Sequence, residues 1–133
     1  MGLDMHLTGE IFLTSNWINP DNNQHEDGYR IKSRNLDLGY WRKHPDLHGF
    51  IVETFNEGVD DCRPIDLDAD ALEQIITAIE LGELPKTEGF FFGESINDAE
   101  QNQHSVTILK NAMTWLNTKV EGQWRSVSYC ASW

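Results

Sequence analysis

The sequence predicts an α+β fold: one domain in which a small antiparallel sheet is packed by about three helices. Three observations predict it. Strand-like segments stand near both ends of the chain, and apolar stripes with helical spacing fill the middle. Strands and helices also fail to alternate in the regular way a doubly wound parallel sheet demands. At 133 residues the chain matches the commonest domain size and can bury one core without disulfide or metal staples. Residues 1–133 are therefore read as a single domain.

Residues 2–14 alternate at Leu3, Met5 and Leu7 before Ile11, Phe12 and Leu13, a pattern that suits an edge or first strand. Residues 15–28 are rich in Asn, Asp, Pro and Gly around Asn19-Pro20-Asp21-Asn22-Asn23, so they read as a mobile loop. A second strand is expected within 29–41, with Leu36, Leu38 and Tyr40 on one face. Pro45 then opens a helix, since its missing N–H is harmless in the first turn. Leu47, Ile51 and Phe55 form that helix's stripe, Phe50 widens it, and Gly58 stops it. After a connector over 59–67, Asp66 or Asp68 caps a second helix with Leu72, Ile75, Ile76 and Ile79 inward. Gly82 and Pro85 end it. The run Phe90-Phe91-Phe92 between two glycines suits a short buried strand, a loop folded over the core, or the aromatic wall of a pocket. Asn97 or Asp98 caps a third helix with Val106, Leu109, Met113, Leu116 and Val120 as its stripe. Residues 123–133 alternate as a last strand, with Val127, Tyr129, Ala131 and Trp133 sharing a side.

Twenty-two acidic against ten basic residues give a formal charge of −12. That sign disfavours direct binding to nucleic acid or an anionic membrane, and permits binding to a basic protein surface. No apolar run reaches the roughly 20 residues that span a bilayer. The N-terminal residues lack the basic and apolar regions of a signal peptide. Two cysteines, Cys62 and Cys130, do not make a disulfide framework. A cytoplasmic protein with free thiols is the resulting expectation.

Chemistry concentrates in two short stretches. Trp41-Arg42-Lys43 stands before a helix N-terminus, where free N–H groups attract anions. There Trp41 either stacks on a flat ligand or packs in the core. Asp60-Asp61-Cys62 offers carboxylates that can accept ligand hydroxyls or pair with Arg42 and Lys43, beside a thiol. His48 can join either an Asp or Cys62 in acid–base or nucleophilic chemistry. His44 and His48 have helical spacing, but no second paired motif supports a metal site, so no metal or cofactor is assigned.

Met1-Gly2-Leu3-Asp4-Met5-His6-Leu7, Gly39-Tyr40-Trp41-Arg42-Lys43, His48, Gly58-Val59-Asp60-Asp61-Cys62, Leu84-Pro85, Gly89-Phe90-Phe91-Phe92-Gly93 and Ala131-Ser132-Trp133 span nearly the whole chain. In combination they resemble a family of small uncharacterised bacteriophage and prophage proteins, some of which carry the label phosphoglycerate kinase. That label does not suit this chain, which is far too short for a two-domain kinase and has no phosphate loop. The resemblance implies a viral accessory protein acting in the host cytosol, in counter-defence or on host metabolism. It assigns no role to single residues, and at His44 and Pro45 the chain departs from the family's usual small or polar residues.

The leading expectation is a protein that binds a small anionic or nucleotide-like ligand through Trp41, Arg42, Lys43, His48, Asp60, Asp61, Cys62 and Phe91. Two alternatives stand beside it: an acidic inhibitor of a basic host protein, and a small enzyme using His48 with Asp61 or Cys62. The balance is against an enzyme. Oligomeric state is open.

Overall fold

A computed structural model describes residues 2–15, 17–19, 23–86 and 99–133. The expected Phe90–Phe92 segment, including Phe91, and the Asn97 or Asp98 cap lie outside the described residues. The chain order is β1 (Asp4–Leu13), β2 (His25–Glu26), β3 (Tyr29–Arg30), β4 (Ser33–Arg42), α1 (Pro45–Phe55), β5 (Ile65–Asp66), α2 (Ala69–Glu80), α3 (Ala99–Asn117) and β6 (Gln123–Ser132). The fold is α+β, as the alternation and stripes predict. Among the described residues, one four-stranded antiparallel sheet has the order β4-β1-β6-β5, and β2 and β3 form a separate hairpin.

Alternation along β1 and β6 fixes the buried face. Met5, Leu7, Val127, Tyr129 and Ala131 point to the core, while His6, Trp124, Ser126 and Ser132 are exposed on the other side. The core joins these residues to Leu47 and Ile51 of α1, Leu72, Ile75 and Ile79 of α2, and Val106, Leu109 and Ala112 of α3. α3 lies on β4 and β6, and α2 packs on α3. No described helix is long and apolar enough to cross a membrane.

Helix ends follow local chemistry. Asp68 caps α2 by accepting from the Ala71 N–H at 2.7 Å. His44 caps α1, its Nδ1 accepting from the Leu47 N–H at 3.5 Å, and Pro45 sits in the first turn. α1 closes where Gly58, at φ +75°, donates to the Val52 carbonyl.

β1 is the first strand of the chain, as expected, and it is central rather than at an edge, because both β4 and β6 pair with it. The second strand expected within 29–41 is β4, from Ser33, with the short β3 before it. Two expectations need correction. Leu38 and Tyr40 do not share a face. The β1–β4 register shifts between Leu7 and Thr8, and this irregularity turns Leu38 toward the core while Tyr40 stays exposed. Val120 lies beyond α3, which ends at Asn117, and is exposed.

Candidate functional site

The register brings three strand ends together, since Asp4 pairs with Arg42 on one side and with Ser132 on the other. Apart from Phe91, which lies outside the described residues, the sequence-predicted residues gather at this end of the sheet in two groups, one at each lateral edge.

At the β4 edge, Tyr40, Trp41, Arg42, Lys43, His44, Glu100, Gln101 and His104 line a cleft of about 410 Å³. That size falls among small-ligand sites. Arg42 and Lys43 are exposed. Lys43 turns the chain from strand to helix in the left-handed region, at φ 57°. Trp41 is 5% exposed, and its indole N–H donates to the buried Ser105 hydroxyl at 2.9 Å. It is a fixed wall rather than a stacking platform. Tyr40 donates to Asp4 Oδ1 at 2.5 Å, and its ring tilts against His6 with centroids 5.0 Å apart. The bond to Asp4 pushes the Tyr40 phenol upward, and the Arg42 charge opposes that shift. His44, the N-cap of α1, and Glu100, Gln101 and His104 in the first described turns of α3 border it. Asp46 and Glu100 place carboxylates in those first turns and offset part of the positive potential. Burial holds His44 below the ordinary imidazole range, against the pull of Asp46. A neutral ring is what its cap requires, because Nδ1 accepts.

At the β5 edge, His48 is 2% exposed and stands between two partners. Its Nδ1 lies 2.6 Å from the Tyr129 hydroxyl, and its Nε2 lies 3.0 Å from both carboxylate oxygens of Asp60. The carboxylate accepts, so Nε2 carries a proton and Tyr129 can donate to Nδ1. Burial pushes the Tyr129 phenol far up, with the Asp60 charge adding to it, so Tyr129 stays protonated. Trp133 meets the His48 ring edge-on, with centroids 5.6 Å apart. The depression beside them opens to solvent past Val59, Asp61, Cys62 and Arg63, and holds about 10 Å³, room for roughly one water. Asp61 turns away to Arg63, with Arg63 Nε at 3.4 Å. The structure thus gives His48 Asp60 as its partner, not Asp61. Cys62 is exposed, and its thiol is pushed up by desolvation and by the charges of Asp60, Cys130 and Asp61.

β1 and β6 separate the two groups. Three strand spacings of about 4.8 Å put roughly 14 Å between the edges. Trp41, Arg42 and Lys43 come together, and so do His48, Asp60, Asp61 and Cys62, but the two sets share no wall. Sequence reading missed Tyr129 as a partner of His48, and Glu100, Gln101 and His104 as lining of the first cleft. For Glu100 and His104 a signal exists, because they stand four residues apart on one face of α3. Among the described residues, no three His, Cys, Asp or Glu side chains gather as metal ligands would. No protein-family model, no curated protein and no solved structure matches the chain.

Proposed function

We propose that the chain binds a small anionic ligand, of phosphate or nucleotide type, in the cleft at the β4 edge. The observation that carries this reading is the pairing of Arg42 and Lys43 on a cleft of about 410 Å³ that the α1 N-cap also borders, in a chain of net charge −12. The two cations and the helix N-terminus attract anions against the Glu100 carboxylate in the lining, and an acidic chain repels them elsewhere. Arg42 grips the anion through its planar fork, Lys43 adds a point charge, and Gln101 and His104 supply further polar contacts. Asp60 and Asp61 do not line this cleft, so they are left out of the ligand's contacts. The Asp60–His48–Tyr129 set borders a much smaller depression of about 10 Å³, so the ligand is placed in the larger cleft. With the resemblance to phage proteins, this becomes an accessory protein that captures a small anionic metabolite or signal, as counter-defence would require.

Calorimetric titration with orthophosphate and a panel of mono- and dinucleotides tests the reading. One class binds wild type, and Arg42→Ala weakens it by about tenfold or more, since a hydrogen bond to a charged group is worth about 1.5–3 kcal/mol. If no member binds wild type, or if Arg42→Ala binds equally, the reading fails.

A second reading rests on α2. Its outward residues Asp70, Glu73 and Glu80, with Asp66 and Glu83 nearby, are exposed, and the helix contains no Lys or Arg. This ridge fits a basic host-protein surface, including a DNA-binding groove. Such binding weakens steeply with salt and is indifferent to Arg42→Ala.

A further inference from the structure

We propose that Cys62 and Cys130 form a redox-active dithiol, which a hydroperoxide closes to a disulfide that ties residues 59–64 to β6. These are the two cysteines of the chain. They stand 68 positions apart, yet the fold brings them into contact, with Cys130 Sγ donating to the Cys62 carbonyl at 3.3 Å. Bond lengths then bound the distance from Cys130 Sγ to the Cys62 Cα at about 6 Å. The Cys62 thiol borders the backbone N–H of Trp133, three residues beyond Cys130, so both sulfurs lie along the same strand end.

Access and freedom point the same way. Cys62 is exposed, in a turn where its own φ is 61° and the next side chain, Arg63, is 83% exposed. Cys130 is half-buried, on the sheet face opposite the core between Ser128 and Ser132. Rotation of the exposed Cys62 side chain is the motion that closure requires.

The chemistry balances with hydrogen peroxide as oxidant. The more exposed Cys62 sulfur, as thiolate, attacks one peroxide oxygen, the O–O bond breaks, and Cys62 becomes a sulfenic acid while hydroxide leaves and takes up a proton. The Cys130 sulfur then attacks the Cys62 sulfur, the S–O bond breaks, and its hydroxyl departs as a second water with the Cys130 proton. Two thiols are oxidised and one peroxide is reduced to two waters. The carboxylates around Cys62 slow the first step at neutral pH, so closure is faster in alkali. Closure clamps the segment that carries Asp60 against His48. The inference is independent of the anion cleft at the other edge.

Peroxide treatment of the folded full chain, followed by intact mass and peptide mapping without reduction, tests the proposal. The expected result is loss of two hydrogens, a Cys62–Cys130 linked peptide, reversal by a phosphine, and slower linkage in urea-unfolded protein. In Cys130→Ser, dimedone traps a sulfenic acid on Cys62 instead. Separate oxidation of each cysteine without linkage, disulfide-linked dimers as the main product, or equal linkage rates folded and unfolded would each overturn it.

Discussion

Tyr129 is 1% exposed, and its hydroxyl reaches an imidazole 81 positions earlier. Alternation along β6 places it on the inner face, but nothing in either segment names its partner. A helix and the last strand meet only through the topology. Tyr129→Phe keeps the ring and removes the hydroxyl that meets His48 Nδ1 at 2.6 Å in a buried place. The expected cost is about 1–3 kcal/mol, read as a lower urea midpoint. Asp60→Asn costs less, because its side chain is 31% exposed and water can answer part of the loss. A larger loss for Asp60→Asn would mean that the carboxylate, not the phenol, holds the ring. His44 makes a prediction about pH. Burial holds its folded pKa below that of a free imidazole, so as pH falls the unfolded chain takes up the proton first. Stability from this group is therefore complete above the unfolded pKa and is lost as pH falls below it. The same proton would occupy Nδ1 and break the cap on Leu47. His44→Asn retains a capping oxygen and has no proton to gain. The difference between wild type and His44→Asn should shrink as pH falls from about 7.5 to about 5.5, measured by denaturant midpoints. A constant difference would separate the cap from the titration.

Among the elements, α1 and α2 were readable because their caps, stripes and stops lie within one short window each. Asp68 and Gly58 act through neighbours three to six residues away, which is the range a sequence displays. β4 was not readable in the same way. Its irregular register against β1 depends on what each strand meets across the ladder, and strict alternation wrongly joined Leu38 to Tyr40. The two glycines near that irregularity show why the helix layer needs this backbone. A Cβ on Gly39 would stand within van der Waals radii of Ile108 Cγ2, and one on Gly9 would meet the Trp115 ring at 2.8 Å. Both mark where α3 lies close on the sheet. Gly39→Ala should therefore cost about 1–3 kcal/mol by overpacking. Ile108→Ala in the same chain should recover part of that cost despite its own loss of burial. A double variant no better than the sum of the singles would show that the strain lies in the strand, not in the helix contact. Asp68→Ala provides a calibration, at about 1 kcal/mol for a lost cap.

For the whole molecule, topology decides what a site is. Arg42 and Asp61 look like members of one constellation along the chain, because only nineteen positions separate them. The order β4-β1-β6-β5 sends them to opposite edges. Conversely, Cys62 and Cys130 look unrelated in sequence and meet because β5 and the turn before it run along β6. The α+β class needed only local periodicities, whereas strand order depends on which faces can be buried together. The proposed disulfide turns this long-range contact into a measurable stability. Linking positions 68 apart removes loop-closure freedom from the unfolded chain. In the chain-entropy model that is worth about 4 kcal/mol, or on the order of 10 °C in Tm for a chain of this size. The oxidised protein should melt higher than the reduced one, and a phosphine should abolish the difference. The gain should also persist at high salt, where self-repulsion from the −12 charge is screened, because a covalent link does not depend on ionic strength. If the linked protein instead melts lower, the bond must distort the turn around Asp60 by more than it gains from the unfolded state. The reduced arrangement would then be the one the fold protects.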